Sequence, residues 1–341
     1  MLCFIINLVT RCITRLMGGQ RKFDKLYHRL VVPCRAVIGP FALGIFNIFA
    51  WIYSFKAVDG VLSAFTIDVL RVLGVFALLE VWVNYALCIY YAKQSSFTWW
   101  KEQMEIKRTN DFHDAGIAQP EKAEQQRRFM GNIAPNPELV KYCCTCKVDV
   151  PLRCSHCSIC ETCVMRSDHH CLVTGVCLGA SNNGYFLISV FYLMCILTVS
   201  IYLQFLYLRE NFRPELFPVL IMIKWLPVLM FQENDLTLDM VVRYFVFYMS
   251  ATLYITSISY FAFNVYLFRR GYAMRELLSR KLASRYRGDK GSFWDRVRFM
   301  FGPNWFYHLL VPQFKRRYDA AYFDDIYKTF APASHNYSCT I

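Results

Sequence analysis

Acidic side chains are the scarce component of this sequence: 25 Asp and Glu stand against 38 Lys and Arg, a net charge of +13 over 341 residues. Charge of either sign is thin as well, at 18% of the chain. A basic excess raises nucleic acid as a partner, but the rest of the composition argues otherwise. A convincing signal-peptide cleavage site is also missing, because the weak apolar start "MLCFIINLVT" runs into Arg11 and Arg15. The last four residues, "SCTI", set Cys339 third from the end, which excludes a prenylation box.

What is plentiful is apolar. Hydrophobic residues make up 56% of the chain, with 29 Phe, 22 Tyr and 7 Trp, where a soluble domain usually holds about 45–50%. This composition is that of an all-α polytopic membrane protein. Its basic residues are then expected in cytoplasmic segments facing anionic lipid, with the bilayer and no nucleic acid as partner.

A spanning helix needs roughly 20 mostly apolar residues. Four stretches qualify: 31–55, 66–91 (interrupted by Arg71, Glu80 and Asn84), 185–208 and 241–268. Residues 216–231, "LFPVLIMIKWLPVLMF", are apolar but short, with Lys224 at the centre, and read as an interfacial or re-entrant piece. Lys and Arg number seven in residues 1–35, eleven in 93–183 and fourteen in 269–341, but three in 209–240, where five acids accompany them. Four spans put every basic segment in the cytosol and the acidic loop in the lumen. The expected organisation is a basic N-terminal segment over 1–30, two spans within 31–92, and a cytosolic loop over 93–183 with a cysteine-rich core at 142–183. Two more spans follow within 184–268 around a lumenal loop at 209–240, and then a basic cytosolic tail over 269–341.

The central loop holds nine of the 15 cysteines and three of the seven histidines, as "YCCTCKVDVPLRCSHCSICETCVMRSDHHCLVTGVC". In a reducing cytosol, cysteines paired at repeated C-x-x-C spacing point to metal or catalysis rather than disulfides. Structural zinc takes four thiolate or imidazole ligands, so two ions use eight of these twelve candidates. Counting leaves choices open between Cys143 and Cys144 and between His169 and His170. On residue type alone, Asp168, His169 and Cys171 suit an orienting acid, a base and a nucleophile.

The run Cys143-x2-Cys146, Pro151-x-Arg153-x2-His156-Cys157-x2-Cys160-x2-Cys163, Asp168-His169-His170-Cys171, Cys177, Gly179 and Asn182 resembles the DHHC protein S-acyltransferases, or palmitoyltransferases. That resemblance implies two interleaved structural zinc sites, one of Cys143, Cys146, His156 and Cys163, the other of Cys157, Cys160, His170 and Cys177. It makes Cys171 the nucleophile, His169 its base and Asp168 the residue orienting that base. The implied reaction carries a long-chain acyl group from acyl-CoA, as palmitoyl-CoA, through a Cys171 thioester to cysteines of membrane-associated proteins. It implies an acyl cavity closed by the third span near Ile196, and CoA phosphates within reach of Arg269 and Arg270. The active site would face the cytosol from the endoplasmic reticulum or Golgi. Cys144 and Cys154 are left as spare thiols.

The chain departs from that family in several places. Leu172-Val173 replace its Pro-Trp, Gly175-Val176 replace its Asn-Asn, and its Thr-Thr-x-Glu is reduced to Glu276 in "RGYAMRE". The alternative reading is a catalytically weak member serving as a membrane scaffold or zinc-module adaptor.

Overall fold

The structure is a computed structural model that describes residues 44–55, 62–103, 140–151, 153–211, 238–278 and 291–314. Residues 1–30, the first part of the 31–55 stretch, the 216–231 stretch and the end of the tail fall outside the described residues.

Helices dominate. A short apolar helix, α1, covers Gly44–Phe55. The helix α2 runs Ala64–Tyr90 and tightens into a 3-10 turn over Tyr91–Ser95. The helix α3 covers Asn183–Asn211 and α4 covers Leu238–Arg270. Among the described residues, three segments are long and apolar enough to cross a membrane: Ala64–Ser95, Asn183–Tyr207 and Phe245–Arg270. Ser63 starts α2 by accepting from the Thr66 amide at 3.2 Å, as an N-cap serine does.

The polar interruptions of α2 are resolved within the helix. Asn84, one turn past Glu80, donates to the Glu80 carboxylate at 2.8 Å and to its carbonyl at 2.9 Å. Arg71 pairs with Asp68 at 3.2 Å. Gly74 allows α1 to lie close, because a Cβ there would sit 1.7 Å from the Trp51 ring. Trp51, Phe55, Ile67, Val81, Ile196 and Leu203 form the buried interface of α1, α2 and α3.

The cysteine-rich stretch is not helical. It forms three antiparallel hairpins: β1 (Val140–Cys143) with β2 (Val148–Pro151), β3 (Ser155–Cys157) with β4 (Thr162–Val164), and β5 (His169–His170) with β6 (Cys177–Leu178). Two-stranded hairpins of two to four residues do not hold themselves in water. Their turns put Lys147 (φ 56°) and Glu161 (φ 52°) just after the second cysteine of a C-x-x-C step, and the two thiols of each step lie close together.

This module is tied to the spans by hydrogen bonds. The Asn182 amide donates to the carbonyls of Cys88 and Cys177, at 3.1 and 3.0 Å, and its oxygen accepts from the Gly179 amide at 2.8 Å. Met165 donates from its backbone to Ser95 at 2.7 Å. The module is thereby held where α2 ends and α3 begins.

Part of the basic tail folds back onto the spans. After α4 come α5 (Met274–Leu278), α6 (Phe293–Phe301) and α7 (Trp305–Leu310). Ser292 and Asp295 cap α6 reciprocally. Buried Arg296 donates to the Phe268 carbonyl at 2.6 Å and the Arg269 carbonyl at 3.2 Å, satisfying the open C-terminus of α4. The hydroxyls of Tyr192 and Tyr185 on α3 donate to the carbonyls of Leu309 and Gln313.

Candidate active site and metal groups

The eight candidate ligands gather into two sets. Cys143, Cys146, His156 and Cys163 form one, and Cys157, Cys160, His170 and Cys177 the other, with the ligand atoms of each set within 4.8 Å of one another. The interleaving follows from strand register. His156 lies opposite Cys163 on the β3–β4 hairpin and joins the first set, while Cys157, one residue on, points the other way into the second.

The geometry fits zinc. A tetrahedron with Zn–S of about 2.3 Å and Zn–N of about 2.0 Å has edges of about 3.5–3.8 Å. In the second set, His170 Nδ1 lies 3.4, 3.6 and 3.7 Å from the sulfurs of Cys160, Cys177 and Cys157, and Cys160 Sγ lies 3.5 Å from Cys177 Sγ. In the first, His156 Nδ1 lies 3.2 and 3.9 Å from the sulfurs of Cys146 and Cys163, which are 3.6 Å apart. Three thiols and one imidazole per set is a closed structural donor group, with no ligand position left for water. Cys154, fully buried, touches the Cys163 thiol from outside the first set, whereas Cys144, expected as a spare thiol, is exposed and bonded in a disulfide.

Asp168, His169 and Cys171 lie together beside the second set. His169 Nδ1 meets Asp168 Oδ2 at 2.9 Å. Neighbouring residues on strand β5 point apart, so His170 faces metal-type ligands while His169 faces Asp168 and Cys171. Cys171 is buried in an apolar cluster with Leu87, Cys88, Leu178 and Tyr185. Tyr260 of α4 stands edge-on to both His169 and Phe186, with ring centroids 6.1 and 5.5 Å away. Cys171 thus packs against apolar residues of α2 and α3, with Tyr260 of α4 against the neighbouring His169.

Burial pushes the Cys171 thiol up, but hydrogen bonds from His169 and from both the amide and hydroxyl of Thr174 outweigh it and hold the thiol below its ordinary value. Burial works against the charged form of His169 too. The Asp168 and Cys171 contacts overcome it and raise the imidazole to about 9. Both shifts run in the direction that favours a thiolate beside an imidazolium.

Thr174 escapes a reading by motif, because it lies in the turn after Cys171, where no spacing rule marks it. That turn closes through Gly175, whose φ of 69° suits glycine. The Gly175 amide donates to the Cys171 carbonyl at 2.9 Å, and Cys171 donates to Val176 at 3.0 Å. Leu172 and Val173, which replace Pro-Trp, are exposed at 58% and 44%, while Tyr85 of α2 donates to the Val173 carbonyl at 2.8 Å.

The segment after α4 also reaches the site. Met274 donates its amide to Asp168 Oδ1 at 2.9 Å, so the two carboxylate oxygens have different partners. Glu276 binds Arg153 bidentately, with both contacts at 2.7 Å. Arg269 and Arg270 are exposed at the end of α4. Ile196 is buried between α2 and α3. An apolar cavity of about 280 Å³ lies elsewhere, between α3, α4, α6 and α7, and neither Ile196 nor Cys171 lines it.

A comparison with curated proteins finds no match. A comparison with protein families does: residues 137–281, which hold both ligand sets, the Asp168–Cys171 run and Glu276, match the family described as DHHC palmitoyltransferase.

Proposed function

We propose that this chain is a protein S-acyltransferase that moves a long-chain acyl group from acyl-CoA to cysteines of membrane-associated proteins. The observation that carries the reading is the Asp168–His169–Cys171 arrangement, with Cys171 in an apolar cluster, beside two complete Cys3His sets. His169 accepts the thiol proton, with Asp168 holding the imidazole, and the Cys171 sulfur attacks the thioester carbonyl. A new carbon–sulfur bond forms as the bond to CoA breaks, and the CoA sulfur takes the proton from His169. A substrate thiol then gives its proton to His169 and displaces Cys171. One thioester is exchanged for another at each step, so no ATP is required.

Cys143, Cys146, His156 and Cys163 would hold one zinc ion, and Cys157, Cys160, His170 and Cys177 a second. When bound, the metal supplies folding energy and a fixed platform for Cys171, because closed sites have no open position for chemistry. Arg269 and Arg270 are candidates for the CoA phosphates. Ile196, in the packed interface below the Cys171 cluster, is the candidate limit on acyl length. Four spans, with both termini and the module in the cytosol, account for the distribution of basic residues.

A scaffold role is the competing reading, favoured by exposed Leu172 and Val173 in place of Pro-Trp. Release of free CoA from palmitoyl-CoA by the purified protein, followed by acyl transfer to a cysteine peptide in vesicles, separates the two. Stoichiometric CoA release with peptide labelling is expected. Neither product from zinc-replete protein leaves the scaffold reading standing.

A further inference from the structure

Between Met274, bonded to Asp168, and Glu276, bonded to Arg153, stands a residue that neither the reaction nor the metal groups use. Arg275 spreads its guanidinium over two acceptors far away in sequence. One nitrogen donates to the Ser167 hydroxyl at 3.3 Å and the other to the His156 carbonyl at 3.0 Å. Ser167 is buried and directly precedes Asp168. His156 belongs to the first ligand set.

The backbone around Arg275 needs such an anchor. The helix α5 has five residues and follows Gly271, which has a φ of 73°. So short a helix behind a glycine turn has no run of helical hydrogen bonds to aim it, and just before it the Ala273 amide is held by Glu276 Oε2 at 2.8 Å. Yet the Met274 amide must meet Asp168 Oδ1 at 2.9 Å, and that carboxylate's other oxygen holds His169. Glu276 pins one side of the turn through Arg153, and Arg275 pins the side that faces the catalytic run. A planar guanidinium with two fixed acceptors sets direction as well as distance, which a lysine ammonium cannot do.

We propose that Arg275 is a positioning residue for acyl transfer. It locks α5 onto Ser167 and the β3–β4 hairpin so that the Met274 amide holds Asp168, and through it His169, in line with Cys171. The inference rests on the acyltransferase reading for its kinetic consequence, while its structural consequence is independent of activity. The competing role is a plain staple, in which Arg275 only steadies the hairpin through the His156 carbonyl.

The test uses the full-length, zinc-loaded protein in nanodiscs with Arg275→Ala, Arg275→Lys and Ser167→Ala. Three quantities are read: acylation rate against palmitoyl-CoA concentration, zinc content, and hydrogen exchange of the Met274 amide. A misplaced catalytic group costs up to about 100-fold in rate. Arg275→Ala is therefore expected to lower the maximal rate by about 10- to 100-fold, with the half-saturating concentration unchanged within about twofold. Zinc content stays level, and Met274 exchanges faster while the β3–β4 amides keep their protection. Arg275→Lys falls between, and Ser167→Ala, which spares the His156 contact, shifts rate and exchange in the same direction. Unchanged rate and unchanged Met274 exchange in Arg275→Ala overturn the proposal. So does parallel loss of zinc and of β3–β4 protection, which marks a staple. If the wild-type protein takes up no acyl group, the acyltransferase reading fails by itself, and Met274 exchange still decides whether Arg275 holds the Asp168 contact.

Discussion

Arg153 and Glu276 meet in the protein interior, 123 residues apart in sequence, through two contacts of 2.7 Å and with side chains only 3% and 6% exposed. The pair clamps the turn after α4 onto the cysteine-rich module. The Arg153 guanidinium also donates to the Gly271 carbonyl at 3.1 Å. Removing one member of a buried pair strands the other charge, which costs about 3–5 kcal/mol. Glu276→Ala is expected to destabilise the module by about that amount, read as a lower midpoint in thermal unfolding of the detergent-solubilised protein. An unchanged midpoint would mean that the pair contributes nothing net.

Elemental analysis of the folded protein is expected to give two zinc ions per chain. Cys163→Ala and Cys177→Ala each remove one ligand from a different set, so each should lower both zinc content and folded yield. Cys171→Ser should leave the zinc content alone. A folded protein with a single zinc ion would break the interleaved assignment.

Much of the site was legible because metal ligation and nucleophilic catalysis leave fixed residue types at fixed spacings. The C-x-x-C steps and the Asp168–Cys171 run are of that kind. Glu276 was visible only as the remnant of a motif, and its partner Arg153 only as a motif position, since a pair across 123 residues has no local signature. Thr174 and Arg275 act through contacts that depend on how a turn and a one-turn helix are aimed. The return of α6 and α7 to the spans was hidden by the basic charge around them, although the aromatic run from Phe293 to Phe301 carries the packing surface. Glu80 and Asn84 looked like faults in a span, yet their four-residue spacing is the one that lets them satisfy each other.

The pH dependence of labelling follows from the two shifted groups. The Cys171 thiol lies below its ordinary value, and His169 is raised to about 9. The thiolate forms as pH rises through the thiol's value, so the rate should climb at a pH below the about 8.5 of a free cysteine. In His169→Ala and in Thr174→Val the climb should move to higher pH, because each substitution removes a hydrogen bond that holds the thiol down. Thr174→Val should move it less, since the backbone amide remains. Identical profiles for all three proteins would contradict the assigned contacts.

Four spans predict that tags at both ends are digested when protease is added to sealed, cytosolic-side-out vesicles. A protected C-terminal tag would require residues 216–231 to cross the membrane and would put the fourteen basic residues of the tail in the lumen.

The most direct measurement is acyl-enzyme formation at Cys171, with purified zinc-loaded protein and radiolabelled palmitoyl-CoA. The account predicts a stable label that hydroxylamine removes, that Cys171→Ser abolishes at unchanged zinc content, and that His169→Ala slows by about 100-fold or more. No label on fully zinc-loaded wild-type protein from acyl-CoAs of several chain lengths, or an equal label on Cys171→Ser, would contradict it.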